Sequence, residues 1–149
     1  MLLPRERTKL AEKIKRQAHA FAIGRAEHYE IETLGIQKAT FLAFGRALEN
    51  LSQKADFVLV DGFSFTGCPL PQKHIIKGDQ KCLSIAAASI IAKVHRDQLM
   101  TDLAKDYPQY GFEKHKGYGT KQHLEALKRH GICQIHRRNF KPIKNDFLS

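Results

Sequence analysis

Two aspartates stand out by where their neighbours put them. The run Lys77-Gly-Asp-Gln-Lys-Cys-Leu-Ser-Ile-Ala-Ala-Ala-Ser-Ile-Ile-Ala-Lys-Val-His-Arg-Asp97 is a glycine turn, then a stretch of small apolar residues, then an abrupt charged end. Coiled as a helix, Ile90, Val94 and Asp97 fall at i, i+4 and i+7 and share one face. The apolar side therefore carries a carboxylate near its C-terminal end. Burying an unpaired charge is costly, and a helix C-terminus disfavours an anion. The position asks for compensation, either a divalent cation or an ion pair with Arg96 or Lys93. Asp61 closes a different pattern: Asp56-Phe-Val-Leu-Val-Asp61 is a short apolar run followed by Gly62. In open α/β sheets the carboxyl ends of strands are where sites gather, and an aspartate before glycine has a clear approach to a metal. From spacing alone, a turn-capping aspartate explains it as well.

Three further groups have binding chemistry. Tyr118 sits between Gly117 and Gly119 in Lys114-His-Lys-Gly-Tyr-Gly-Thr120. A tyrosine ring can stack on a sugar or base, and its hydroxyl can meet a ribose 2′-OH; filling a surface groove is the plainer alternative. Lys114, His115 and Lys116 precede it, and the interleaved glycines suggest a loop that grips phosphate. Lys77, Gly78, Asp79 and Lys81 form the turn that opens the helix. Backbone N–H groups there can hold a phosphate, with Lys81 adding charge and Ser84 a hydroxyl, although many helices open this way without a ligand. His136, Arg137 and Arg138 suit either nucleic acid or a clamp on the C-terminal segment. His19, His28, His74 and His95 show no ligand spacing.

Strands and helices must hold these groups. Pro4 suits a helix first turn, and Leu10, Ile14 and Ala18 make a helical stripe. Residues 18–25 alternate His19, Phe21 and Ile23 with Ala and Gly, which predicts a strand tightly packed on one side. Residues 34–51 return to helical period through Ile36, Ala39, Ala43 and Ala47. Residues 56–61 read as a strand covered on both faces, and His74–Lys77 as another. A long helix from Leu83 runs, with a break, toward Tyr107, where Pro108 stops it. Thr120 is an N-cap for a helix ending before Gly131. The alternation makes the class α/β, with about three strands, fewer than most sheets have.

The 149 residues suffice for one domain with a core; 42% are hydrophobic and 27% charged, which suits a globular chain. Net charge is +10, and basic proteins of this size often meet nucleic acid. Residues 111–149 carry nine Lys or Arg against three acids, with four of the eight histidines. No apolar run is long enough to span a membrane, and Met1-Leu-Leu-Pro-Arg-Glu-Arg does not read as a signal peptide. Cys68, Cys82 and Cys133 form no CxxC pair, which offers no zinc motif and fits a reducing cytoplasm.

The segments 77–97, 107–120 and 135–140 together resemble ribonuclease HII, the type 2 ribonuclease H family, and the resemblance covers nearly the whole chain. It implies an RNase H-like mixed sheet flanked by helices, in one domain over 1–149, with 103–149 as a helical, basic C-terminal extension. The family's opening Asp-Glu-Ala-Gly-Arg-Gly strand has no counterpart here, so the resemblance implies a sheet lacking its first strands. The family cuts the RNA strand of RNA–DNA hybrids and nicks DNA duplexes at embedded ribonucleotides. It uses four carboxylates and two divalent ions, Mg2+ or Mn2+, which activate water and stabilise the leaving oxygen. The resemblance assigns catalytic, metal-holding roles to Asp61 and Asp97, and RNA–DNA junction contact to Tyr118. With two carboxylates of four, this chain alone is expected to be impaired; the alternative is an inactive nucleic-acid-binding remnant. Unpaired strand edges further suggest association through the sheet.

Overall fold

A computed structural model describes residues 3–140 and 143–145; Lys141 and Asp146 of the basic tail lie outside them. Helix α1, Pro4–Gln17, opens with proline in its first turn and packs its one fully buried residue, Ala11, toward the long helix α5. Helix α2, His28–Leu34, has no strong apolar stripe, and the sequence reading missed it. It is started by a capping box, in which Glu30 accepts the Glu27 N–H at 2.8 Å. Gly35, at φ 78°, then turns the chain into α3, Ile36–Glu49. A bidentate pair joins the two helices: Arg46 donates to both Glu30 oxygens at 2.6 and 2.7 Å, and its hydrogen bonds hold the Glu30 carboxyl down at about 2.

Residues 18–25 do not form a strand. They are extended but pair with no strand among the described residues. Their small side chains serve α3 instead. A Cβ on Gly24 would lie 1.8 Å from the Ala43 carbonyl oxygen and 2.5 Å from the Ala47 nitrogen, so only glycine lets the segment press onto that helix. The alternation at 18–25 was not sufficient for a strand, because strand formation also needs a partner edge.

Strand β1, Val58–Asp61, pairs in parallel with β2, Gln72–Ile75, in the register Val58↔Gln72 to Asp61↔Ile75. The described sheet has these two strands, one fewer than expected. Nor is β1 covered on both faces: Val60 is buried, while Phe57 is 50% and Leu59 39% exposed. Between the strands, Gln72 staples the loop by accepting the Phe65 N–H and donating to the Phe65 carbonyl. Phe65 itself is buried against Phe41 and Phe44 of α3.

The one-turn helix α4, Gly78–Lys81, leads into α5, Leu83–Asp106, which runs unbroken for 24 residues. The charged stretch after Ala92 is therefore not its end. Met100 and Leu103 carry the apolar stripe onward to a core cluster built on Met100, Tyr110, Phe112, Ala126 and Leu127. Pro108 starts a 3-10 turn, Pro108–Tyr110, followed by α6, Phe112–His115. Helix α7, Lys121–His130, is capped as the sequence suggested: Thr120 Oγ1 accepts the His123 N–H at 3.3 Å, and Gly131 ends it at φ 71°. The segment after it returns to α2, where Glu32 accepts the Arg138 N–H and its carbonyl accepts the Asn139 side-chain amide at 3.0 Å. His136, Arg137 and Arg138 thus belong in part to a clamp, made by backbone and Asn139 rather than by arginine side chains.

Candidate active site

Asp61 ends β1 with an exposed side chain, and its Oδ1 accepts the Gly78 N–H at 2.7 Å. Lys77 adopts the left-handed conformation, φ 56°, to make that turn. A Cβ at Gly78 would lie 2.6 Å from Ile85 Cδ1 and 3.3 Å from Asp61 Oδ1, so a side chain there would make the Ile85 methyl move. The close packing ties the carboxylate to the start of α4. It also engages the Gly78 N–H, one of the groups expected to receive phosphate. Lys77, Lys81 and Ser84 are exposed around the same turn.

Asp97 lies nine residues inside α5, not at its C-terminus, so the helix-end penalty does not apply. Its compensation comes from neither Arg96 nor Lys93. Arg7 of α1 donates Nη2 to Asp97 Oδ2 at 2.9 Å, with the two side chains 12% and 21% exposed. Arg7, Ala11 and Ile14 share one α1 face by i, i+4, i+7 spacing. A charge on that buried stripe was the sequence signal that would have identified it.

Asp97 and Arg7 line an open cleft of about 680 Å3 between α1, α5 and the 114–120 loop. Lys93, Lys114, Lys116 and Tyr118 share it. Tyr118 is 64% exposed, with Lys93 Nζ 5.7 Å from its ring centroid, a cation–π contact. Lys116, at φ 54°, donates to Thr101 Oγ1 at 2.6 Å, and Thr101 in turn donates to the Asp97 carbonyl. The cleft thus joins cations, an exposed aromatic and one carboxylate. Asp61 is not among its lining residues.

His115 departs from the expectation that it grips phosphate. It is 7% exposed, with Nε2 on the Tyr110 carbonyl at 2.8 Å and Nδ1 accepting the Gly117 N–H at 3.2 Å. Both ring nitrogens are occupied by backbone, so its work is to shape the loop.

Carboxylate oxygens suit a hard divalent cation in kind, but not in number. Among the described residues no group of three or more His, Cys, Asp or Glu side chains is arranged to hold a metal. Asp97 also already faces a guanidinium. The residues as they stand do not make a resident metal site.

Two parallel strands and flanking helices, with a basic cleft along the long helix, make an α/β fold. The fold is similar to the crystal structure of ribonuclease H2 from Pyrococcus horikoshii OT3, with a TM-score of 0.78 and 24% identity, over 97% of this chain and 76% of that one. The ribonuclease HII family model matches residues 1–143. The chain is 52% identical over 139 residues to ribonuclease HII of Desulfitobacterium hafniense (strain DSM 10664 / DCB-2), covering 93% of this chain and 54% of that protein. Against ribonuclease HII of Natranaerobius thermophilus it is 48% identical over 143 residues, covering 96% and 72%. The chain belongs to the ribonuclease HII family, and it spans about half the length of the first of these relatives.

Proposed function

We propose that this chain carries the nucleic-acid-binding part, and two of the carboxylates, of an endonuclease. That enzyme hydrolyses the RNA strand of RNA–DNA hybrids and nicks DNA duplexes at embedded ribonucleotides. The observation that supports this best is the cleft, which sets Asp97 beside Lys93, Lys116 and the exposed ring of Tyr118. Lysines there meet phosphates, and Tyr118 meets the sugar at the RNA–DNA junction, where a hydroxyl distinguishes ribose. Lys114 extends the phosphate track. Lys77, Lys81 and Ser84 form a second patch beside Asp61. Asp61 and Asp97 are the chain's contribution to a Mg2+- or Mn2+-dependent carboxylate set. Among the described residues no helix is long and apolar enough to cross a membrane, and the free cysteines suit a reducing cytoplasm. The two-stranded sheet leaves strand edges without a partner among the described residues, and exposed Phe57 and Leu59 add an apolar face beside them, which favours association through the sheet.

A second reading, binding without cleavage, is favoured by the Arg7–Asp97 pair and by the lack of a three-ligand group. One experiment covers both. The purified chain is offered a duplex with a single embedded ribonucleotide, with Mg2+ and then Mn2+, alongside Asp61→Asn. Binding is followed by fluorescence anisotropy and nicking on a gel. We expect salt-sensitive binding with little or no nicking. A nick abolished by Asp61→Asn would show that this chain's own carboxylates suffice. No binding at low salt would refute the nucleic-acid reading.

A further inference from the structure

Beneath the Tyr118 loop, His123 and His136 are buried together, and their hydrogen bonds fix where each proton sits. The Cys133 N–H donates to His136 Nδ1 at 3.0 Å, so that nitrogen accepts and the proton lies on Nε2. The Tyr118 carbonyl, 3.0 Å from His123 Nδ1, can only accept. His123 therefore carries its proton on Nδ1 and leaves Nε2 bare. The two Nε2 atoms are 3.2 Å apart. One assignment satisfies every contact: the Cys133 N–H donates to His136, His136 donates to His123, and His123 donates to the Tyr118 carbonyl.

The loop needs such a hold. Gly117, at φ 81°, and Gly119 flank Tyr118, and glycines leave the backbone free to swing. The Tyr118 carbonyl accepts from two sides, from His123 and from the Thr120 N–H at 2.8 Å. That fixes the peptide plane from which the exposed ring projects. His115 stacks on His123 with ring centroids 4.4 Å apart, which sets the tilt of the donating imidazole.

We propose that His123 and His136 are positioning residues for Tyr118, aiming its ring into the cleft through this one-way hydrogen-bond chain. The proposal rests on the reading that Tyr118 touches nucleic acid. An added proton on His123 would meet the one already held between the rings, and one on His136 would face the Cys133 N–H, with only the weakly accepting Cys133 Sγ at 3.1 Å to receive it. Burial lowers the proton affinity of both, so the chain stays intact near neutral pH. The titratable groups facing the pair are His115 from α6, Tyr110 from the 3-10 turn, and Cys133 from the segment after α7.

The test uses the full chain labelled with 15N-histidine and long-range 1H–15N NMR. His136 is expected as the Nε2–H tautomer and His123 as the Nδ1–H tautomer at pH 7. Two variants then separate positioning from packing. His123→Gln keeps an acceptor for His136 and loses the donor to Tyr118. His123→Asn places an amide nitrogen where Nδ1 was. Affinity for an RNA–DNA hybrid is expected to fall about two- to tenfold in His123→Gln, as for one lost hydrogen bond. The Thr120 amide, which donates to the same carbonyl, should exchange faster by a similar factor, and His123→Asn should recover most of both losses. An Nε2–H tautomer at His123, or equal behaviour of the two variants, would overturn the proposal. If the unaltered chain binds no hybrid, the functional reading fails, while the tautomer and the Thr120 exchange still decide the positioning.

Discussion

Lowering the pH from 7 to 5 should destabilise this fold through His136 before its carboxylates take effect. His136 is 8% exposed, and burial, assisted by repulsion from His123, lowers its pKa from 6.5 to about 4. In this window the unfolded chain binds the proton more tightly than the folded one. The stabilisation is therefore complete above pH 6.5 and is lost as pH falls toward 4. Each tenfold change in proton affinity is about 1.4 kcal/mol, so the full loss is about 3 kcal/mol. Integrating the two titrations puts about 2 kcal/mol of it between pH 7 and pH 5. That is a large share of a typical 5–15 kcal/mol stability. His123, shifted in the same direction by burial, adds to the loss. Glu30, held at about 2 by Arg46, loses its contribution only as pH falls from 4.5 toward 2, so the two windows separate. Urea unfolding followed by circular dichroism at pH 7, 6, 5 and 4 reads the effect as a falling midpoint. His136→Gln, which cannot titrate, should start less stable at pH 7 and lose much less by pH 5. A midpoint unchanged from pH 7 to 5, or the same slope in His136→Gln, would refute a neutral buried imidazole at this position.

Removing Arg7 should leave Asp97 uncompensated in a partly buried setting. Arg7→Met is expected to cost about 1–3 kcal/mol, and Asp97→Asn in that background to cost little more, measured as a double-mutant cycle in urea. Gly24→Ala forces a methyl group onto the Ala43 carbonyl, a backbone atom that cannot rotate away. The midpoint of thermal unfolding should fall by an amount equivalent to about 1–3 kcal/mol or more, while a wild-type melting curve would mean that the 18–25 segment does not rest on α3. The exposed face of β1 should drive self-association, giving a light-scattering mass above that of the monomer which Leu59→Lys lowers. A monomeric unaltered chain at high concentration would count against association through the sheet.

What the sequence made legible was local. The Thr120 cap, the Gly131 stop, the α5 face of Ile90, Val94 and Asp97, and the strand ending in Asp61 each depend on neighbours within one or two turns. What escaped it depended on contacts distant in sequence. The alternation at 18–25 suits a strand, yet a strand exists only with a partner edge, and Gly24 found α3 instead. Asp97 suggested a missing partner, but the partner is 90 residues earlier. The charge at 93–97 looked like a helix end because the run of small residues stopped there, although Met100 and Leu103 keep the same helix in the core.

The basic tail shows the same limit in the opposite direction. It holds four histidines, of which the sequence reading places His115 on phosphate and leaves His136 open between nucleic acid and a clamp. Three of them, His115, His123 and His136, are buried, with ring nitrogens satisfied by backbone or by each other. No spacing rule distinguishes such a histidine from an exposed one, because what buries it is the stacking of Tyr110 and Phe112 beneath the loop. The charge that the cleft offers to a polyanion therefore comes from Lys93, Lys114 and Lys116. The histidines set only where the Tyr118 loop stands. Binding that weakens with salt but hardly changes between pH 8 and 7 is the behaviour this division requires. A marked strengthening of hybrid binding as pH falls over that interval would mean that the core histidines take up charge and share the load after all.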